Sequence, residues 1–506
     1  MMDGIWLGVT TALSVYNIFM VAIGAFAGTF IGMLPGLGPI SAIALMIPVT
    51  YGMDPSSALI LIAGVYYGAI FGGSTSSILI NAPGVAGTVA TSFDGYPMAK
   101  QGYAGKALAI AAYSSFSGGT IAAIFLLIAA PVLAEVSLSF QSSDYFALMV
   151  LGLTAVAAFA GKGKFLKAAM MTVFGLMLAT VGTDADSGVS RYTFGNMNLI
   201  DGISFLLLAM ASFALSEALM NIIENQKTTK EEKEALRKDI GSLKLTKKEV
   251  KTITPVIGRS SVLGFFVGVL PGAGATIASF LAYGMERSIA SAKEKLKFGK
   301  GSIRGLAAPE SANNAACSGS FVPLLTLGIP GSGTTAVILG ALISYGIQPG
   351  PTLYTDHPAL FWSVIISMYI GNMILLVLNL PLIPYIAKLL ETPKQILLPL
   401  VIFFSLIGVY LVTFNTFDIY MMVLFSIVAV FLRLIDYPMA PMILGFILGG
   451  MMENNLRRAL SISDGSISFL WERPMTATIL AITILMLAWP LISQLFFAKI
   501  GASEDK

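Results

Sequence analysis

The chain writes one helix-breaking stretch twice. Gly28-Thr-Phe-Ile-Gly32-Met-Leu-Pro35-Gly36-Leu-Gly38-Pro39 returns as Gly264-Phe-Phe-Val-Gly268-Val-Leu-Pro271-Gly272-Ala-Gly274, with Gly28, Gly32, Pro35, Gly36 and Gly38 all repeated at an offset of 236 residues. In each copy an apolar helical run reaches Leu-Pro-Gly-x-Gly and must stop there. Proline lacks the N–H and clashes with the preceding turn, while the glycines accept positive φ. Broken helices at corresponding places of two halves are the mark of a carrier whose site lies at the repeat interface. The plainer alternative is a tight loop between membrane helices, doubled with the gene.

The surroundings of the breaks place them in a membrane. Hydrophobic residues make up 56% of the chain, charged residues 11%, and mean hydropathy is +0.83. Soluble domains carry about 25% charged residues, so the reading is an all-α polytopic membrane protein. The single Cys, Cys317, and single His, His357, exclude an internal disulfide and leave no Cys/His metal cluster and no HExxH. This makes an intramembrane enzyme a poor fit. His357, in Asp356-His357-Pro358, reads as an interfacial loop residue. The N-terminus has no basic leader, so the first apolar span is expected to be retained.

Charge is unevenly placed. Of 30 Lys and Arg, 16 lie between residues 224 and 304, and none precedes Lys100. Residues 224–254 read as a mixed-charge linker, cytoplasmic by the positive-inside rule. Acids interleave the bases and no aromatic platform accompanies them, which argues against nucleic-acid binding.

In chain order, residues 12–34 form the first span, and residues 39–53 are too short to cross and suit a re-entrant or half-crossing helix. Asp54-Pro55 is a helix start, with the helix running towards Tyr66-Tyr67-Gly68. The polar run Gly72-Gly73-Ser74-Thr75-Ser76-Ser77 through Asn81, Pro83-Gly84 and Thr88 follows. Its hydroxyls can serve helix packing or coordinate a substrate or ion. Asp94-Gly95-Tyr96-Pro97 reads as a turn. Spans are expected near 107–133, 143–160, 165–182 and 200–223, with an extramembrane loop at 183–191. The second half opens near Pro255. Gly72 and Pro83-Gly84 recur as Gly319 and Pro330-Gly331 at an offset of 247, and Gly118 and Pro131 as Gly371 and Pro384 at 253. The duplication therefore covers roughly 20–135 and 256–390, and paired broken helices favour an inverted arrangement. Spans at 395–413, 415–435, 437–452 and 475–498 read as scaffold or as a contact surface for another membrane subunit. Arg433 is expected to snorkel, and Arg457 and Arg458 to sit in a polar break. The predicted division is 1–223, 224–254, 255–392 and 393–506.

The chemistry this permits is anion recognition. Helix starts after Pro-Gly breaks offer free N–H groups and the positive end of the helix dipole. The substrate-binding candidates are Gly36, Gly38, Ser74, Thr75, Asn81, Gly272, Gly274, Asn313, Asn314, Ser332 and Thr334. The coupling-ion candidates, for Na⁺ or a proton, are Glu310, Thr88 and Thr276. Glu310 is the one able to carry a proton; its alternative role is a cap for the next helix beside Arg304.

Four signatures carry a family resemblance: Gly32-Met-Leu-Pro35-Gly36-Leu-Gly38-Pro39, Asp94-Gly95-Tyr96-Pro97-Met-Ala, Ala308-Pro309-Glu310-Ser-Ala-Asn313-Asn314-Ala and Leu327-Gly328-Ile329-Pro330-Gly331-Ser332. With them the chain resembles, over almost its whole length, the large membrane subunit of the tripartite tricarboxylate transporters. Ser311 stands where that pattern usually has Ala. The resemblance implies a secondary transporter of the bacterial inner membrane with a small four-span membrane subunit and a periplasmic solute-binding protein as partners. It implies uptake of an organic carboxylate, such as citrate or a dicarboxylate, driven by a cation gradient. It implies no cofactor beyond Na⁺ or H⁺ as coupling ion, and the chain has no GxxxxGK[ST] phosphate loop. A stand-alone carboxylate transporter and a passive anion channel are the alternatives.

Overall fold

The computed structural model describes residues 2–488 except 161–162, 185, 224–239 and 392–393. It is helical almost throughout, and among the described residues eight helices are long and apolar enough to cross a membrane. Helix dominates because a bilayer interior offers no water to satisfy backbone groups, so each segment must satisfy its own. The chain is an all-α polytopic membrane protein. Its compact units are not contiguous in sequence: one is Met1–Ser137 with Ser204–Ile435, the other Leu138–Ile203 with Asp436–Lys506.

The larger unit opens with α1 (Met2–Ala12) and α2 (Val15–Met33). The break behaves as its residues dictate. Leu34 is extended, Gly36 sits at φ +95°, and Gly38, at φ +63°, begins α3 (Gly38–Thr50) with Pro39 in its first turn. The 13 residues of α3 are too few to cross, as expected for a half-crossing helix. α4 (Pro55–Ile80) starts from Asp54, whose carboxylate accepts the amides of Ser56 and Ser57 at 3.0 and 3.3 Å. It continues unbroken past Gly68 to Ile80, so the polar run Ser74–Ser77 is helical.

Glycines let α2 and α4 meet backbone to backbone. Gly24, Gly28 and Gly32 lie against the carbonyls of Leu61, Val65 and Ala69, and Gly64, Gly68 and Gly72 face those of Val21, Ala25 and Thr29. Both residue series rise together, so the two helices are parallel. This is small-residue packing of membrane helices, with three contacts in each direction.

α5 (Val89–Lys100) corrects the expected turn at Asp94-Gly95-Tyr96-Pro97, since the helix runs straight through it. Gly95 is there because a Cβ would stand 2.7 Å from Ile78 Cγ1 and 3.3 Å from Leu306 Cδ1. Asp94 Oδ1 accepts the amides of Gly299, Gly301 and Ser302 at 2.9, 2.9 and 2.7 Å, pinning the lysine-rich segment that runs from Lys293 to Lys300 against α5. Asp94→Ala would strand three donors, at about 1–3 kcal/mol for each one left buried. The expected result is much faster tryptic cleavage at Lys293–Lys300 by limited proteolysis; an unchanged rate would mean the loop is held by something else.

The unit continues with α6 (Ala104–Ser137), α7 (Phe205–Ile223), which holds a π-helical turn at Met210–Leu215, and α8 (Lys247–Val269). Most of the predicted linker lies outside the described residues. Its last part is already α8, started by a Thr246–Glu249 capping box. The second break repeats the geometry of the first: Leu270 is extended, Gly272 has φ +80°, and Gly274, at φ +60°, begins α9 (Gly274–Ile289). α10 (Ile303–Gly319), α11 (Phe321–Leu327), α12 (Gly333–Ser344) and α13 (Pro358–Asn379) follow. α14 (Lys394–Thr413) and α15 (Thr416–Leu434) carry many exposed apolar side chains suited to lipid or a membrane partner.

α8 and α10 repeat the parallel packing, with Gly264 and Gly268 over Ala312 and Ala316 and Gly319 over the carbonyl of Phe265. The two pairs run in opposite directions. Ser74 of α4 touches Glu310 of α10. Tyr66 and Tyr67, earlier on α4, pack against Phe321, just after α10, with ring centroids 6.1 Å apart. Rising along α4 therefore means descending along α10. α4 is buried at every position from Ser56 to Leu79, and α10 from Gly305 to Gly319.

Arg433 corrects another expectation. Its guanidinium does not snorkel but pairs with Glu217 and donates to the carbonyl of Ser212 at 2.9 Å. Breaking a fully buried pair costs about 3–5 kcal/mol; here the side chains are 22% and 15% exposed, so about 2 kcal/mol is expected from Arg433→Ala by thermal unfolding in detergent. Double replacement by Arg433→Met and Glu217→Met should recover most of that loss.

The smaller unit contains helices Ser142–Ala158, Phe165–Ala179, Met439–Ile462 and Pro474–Ala488 and a hairpin pairing Gly182–Thr183 with Ser190–Arg191. Helix Met439–Ile462 passes uninterrupted through Glu453, Arg457 and Arg458, where the sequence suggests a polar break. Its charges are satisfied sideways: Arg457 pairs with Asp184 and Glu453, and Arg191 with both acids. The amide of Ser187, then that of Asp186 and the Arg457 charge, holds Asp184 down at about 2.

Candidate functional site

Four chain segments meet around the two breaks. A Cβ on Gly38 would stand 3.8 Å from the carbonyl oxygen of Gly84, in the loop between α4 and α5. Further along that loop, a Cβ on Gly87 would stand 3.3 Å from the Cβ of Ala275, in the first turn of α9. A Cβ on Gly274 would stand 3.4 Å from that of Ser332, the N-cap of α12. In addition, α3 packs on α12. The helix that follows each break thus leans on the polar segment of the other half. The starts of α3, α9, α12 and α5 form one connected region, where N–H groups and dipole ends are concentrated.

The polar candidates fall into three groups. Glu310, Asn313, Asn314 and Ser74 lie together at the α4–α10 crossing. Glu310 does not cap the next helix beside Arg304. It is fully buried in mid-helix and accepts from Ser74 and Ser115 at 2.7 Å each and from Thr91. Arg304 instead pairs with Glu286 and Glu294. Asn314 Nδ2 donates to the carbonyl of Glu310 at 3.1 Å and to Asn313 Oδ1 at 2.7 Å, and Asn313 reaches the carbonyl of Gly87 at 3.4 Å. Asn314 Oδ1 is buried with no hydrogen-bond partner. A buried unsatisfied acceptor is costly and asks for a donor or a cation.

The second group shapes the segments. Ser332 caps α12 by a reciprocal pair with Thr335, N–H to Oγ1 at 2.8 Å and Oγ from N–H at 3.2 Å, with Thr334 buried beside it. The amide of Gly272 donates to the carbonyl of Gly331 at 3.0 Å, tying the second break to the α12 start. Thr88 Oγ1 accepts from Ser77 at 2.9 Å and donates to the carbonyl of Val85. Gly36 stands at the edge of the region, where a Cβ would meet Glu217 Oε1 at 2.9 Å and Asn221 Nδ2 at 3.2 Å.

Among the described residues, the third group makes no hydrogen bond to the Glu310 cluster, though Thr75 lies beside it. Asn81 is an exposed left-handed residue ending α4, at φ +54°. Thr276 is half-buried on α9, and Thr75 lines a small cavity with Ser74, Ser115 and Asn379. Sequence reasoning missed Thr91 and Ser115. Each is one hydroxyl among several, Thr91 beside Ser92 and Ser115 between Ser114 and Ser117, so nothing local singles it out.

Comparison with known proteins adds the family. The profile of the tripartite tricarboxylate transporter TctA family matches residues 18–444. An "Uncharacterized 52.8 kDa protein in TAR-I ttuC' 3'region" of Agrobacterium vitis is 44% identical over 476 residues, covering 94% of this chain and 93% of the relative. An "Uncharacterized protein in TAR-II ttuC' 3'region" of the same organism is 45% identical over 219 residues, 43% of this chain and 90% of the relative. No solved structure matches. With the profile spanning both breaks and the residues gathered around them, the chain belongs to the TctA family of tripartite tricarboxylate transporters.

Proposed function

We propose that this protein is the large membrane subunit of a cation-coupled uptake carrier for organic carboxylates, a tricarboxylate such as citrate or a dicarboxylate. In this reading it sits in the bacterial inner membrane beside a small membrane subunit and takes substrate from a periplasmic binding protein. The observation that carries the reading is the meeting of four helix starts from two sequence halves next to buried Asn313 and Asn314. Such starts hold anions without a fixed cation, because amide N–H groups and dipole ends supply the attraction. A substrate with two or three carboxylates needs several of them at once. Backbone near Gly36, Gly38, Gly272 and Gly274 and the side chains of Ser332 and Thr334 are the proposed contacts, with Thr88 and Thr276 as oxygen donors for a coupling cation.

The opposite directions of the α2–α4 and α8–α10 pairs support two inverted repeats. That relation suits alternating access, since one break then leans toward each side of the membrane. The positive-inside rule supports a cytoplasmic side for the mixed-charge stretch 224–254 and for the basic segment from Lys293 to Arg304.

The test is uptake of labelled carboxylates into proteoliposomes under a Na⁺ or a pH gradient, with and without the two partners. Accumulation that requires both a gradient and the partners is the expected result. Accumulation without partners would mean a stand-alone transporter, equilibration that ignores both gradients would mean a channel, and substrate hydrolysis would mean an enzyme.

A further inference from the structure

Glu310 is an unusual place for a carboxyl group. It lies in a helix buried from Gly305 to Gly319, and among the described residues no ion pair reaches it. The charged and titratable groups on the elements packed against α10 are engaged elsewhere or do not bond to it. Lys106 of α6 pairs with Glu249 of α8, and Arg259 of α8 and Arg304 of α10 itself pair with Glu286 of α9. Asp94 of α5 is taken by the Gly299–Ser302 amides, and Lys100 lies over the Tyr96 ring. Tyr66 and Tyr67 of α4 stack near Phe321, and Cys317 lies on α10 beyond them. Tyr113 of α6 and Tyr283 and Arg287 of α9 make no hydrogen bond to the carboxyl. A carboxylate buried without a counter-charge is expensive. It needs a proton or a bound cation.

The surrounding oxygens decide between these. Ser74 and Ser115 stand at 2.7 Å from Oε2, and Thr91 bonds Oε1. These are hydroxyl-to-carboxylate hydrogen-bond geometries, each already filled by a hydrogen. A sodium ion would need these oxygens turned around it. A proton needs only one of them to turn. Ser74 Oγ has two acceptors within reach, Glu310 Oε2 at 2.7 Å and the carbonyl of Ile70 at 3.2 Å, and a hydroxyl has one hydrogen.

We propose that Glu310 is a proton-binding site of this carrier, switched by Ser74. With the carboxylate ionised, Ser74, Ser115 and Thr91 all donate to it. When a proton adds to Oε2, the new O–H donates to Ser74 Oγ and the Ser74 hydrogen turns to the Ile70 carbonyl. Every group stays satisfied in both states, so neither state leaves an orphaned donor. Space for a relay lies beside the serines. A cavity of about 10 Å³ is lined by Ser74, Thr75 and Ser115 and by Asn379, which is itself 4% exposed and has an unpartnered Oδ1. It has room for roughly one water to relay a proton. The inference rests on the carrier reading for its purpose, and it makes a proton on Glu310, in place of a cation held by Thr88 and Thr276, the coupling ion.

The test is infrared difference spectroscopy of the purified full-length chain in lipid, titrated with pH. The expected result is a protonated-carboxyl C=O band that appears and vanishes with pH. It should be missing in Glu310→Gln, and displaced in Ser74→Ala because the acid's O–H loses its acceptor. No band at any pH, a band indifferent to pH, or a titrating band that survives Glu310→Gln would each overturn the proposal. Should Glu310→Gln fail to fold, a titrating band that Ser74→Ala leaves in place would overturn it instead. The readout needs no substrate, so absence of carboxylate uptake would remove the carrier reading and leave the proton site standing. Sodium-driven uptake with a silent Glu310 would do the reverse.

Discussion

Gly68→Val is expected to abolish recovery of folded protein. The new Cβ would be driven into the carbonyl of Ala25 and the amide of Thr29 on α2, and backbone cannot move aside as a side-chain tip can. To relieve the overlap, α2 and α4 must separate, which breaks the five neighbouring glycine contacts as well. Overpacking a core typically costs about 1–3 kcal/mol when side chains can adjust. Here the cost should exceed about 3 kcal/mol, because the packing of small residues is what joins membrane helices. The measurement is the monodisperse yield and thermal midpoint of the detergent-purified chain. Gly284→Val is the control: nothing lies within 4 Å of that position, so its yield should match the parent. Equal yields from both variants would mean that close backbone packing does not hold this pair.

The second large effect concerns transport and leaves the fold in place. Gly36→Val and Gly272→Val should each reduce uptake to background while the protein still reaches the membrane in normal amount. Both glycines sit at positive φ, +95° and +80°, where a β-branched residue is a strong outlier at about 1–2 kcal/mol or more. At Gly36 the new side chain meets only the movable ends of Glu217 and Asn221. The chain tolerates that locally, but the break takes another shape and the start of α3 is re-aimed. At Gly272 the hydrogen bond to Gly331 is at stake, and with it the placement of the α12 start. Uptake per transporter, from labelled substrate and quantitative blotting, separates this from misfolding. Normal uptake in both variants would reduce the breaks to plain loops.

What the sequence revealed and what it hid follow one physical line. The breaks were legible because proline and glycine act on the backbone within their own turn, so Leu-Pro-Gly-x-Gly ends a helix in any setting. The same local reading failed at Asp94-Gly95-Tyr96-Pro97. There the glycine serves a close approach of Ile78 and Leu306, and tertiary packing keeps the helix going. It failed again at Arg433 and Arg457, whose acids sit on other segments. Glu310 stood out as an acid in an apolar region, but its true neighbours come from α4, α5 and α6. Those contacts span 195 to 236 residues of sequence, and no pattern within α10 announces them.

The burial of α10 from Gly305 to Gly319 also bears on how the protein is made. With Pro309, Glu310, Asn313 and Asn314 in 17 residues, this segment is neither long nor apolar enough to leave the aqueous exit of a translocating machine for lipid by itself. It has to be carried in by neighbours, and α8, whose glycines fit its alanines, is the escort at hand. Biogenesis would then be order-dependent: α8 must wait, unpaired and with its glycine face open, until α10 has been synthesised. A change in the Gly264–Gly268 face would therefore act first on the nascent chain, as a failure of membrane integration and early degradation, before any finished molecule could lose stability.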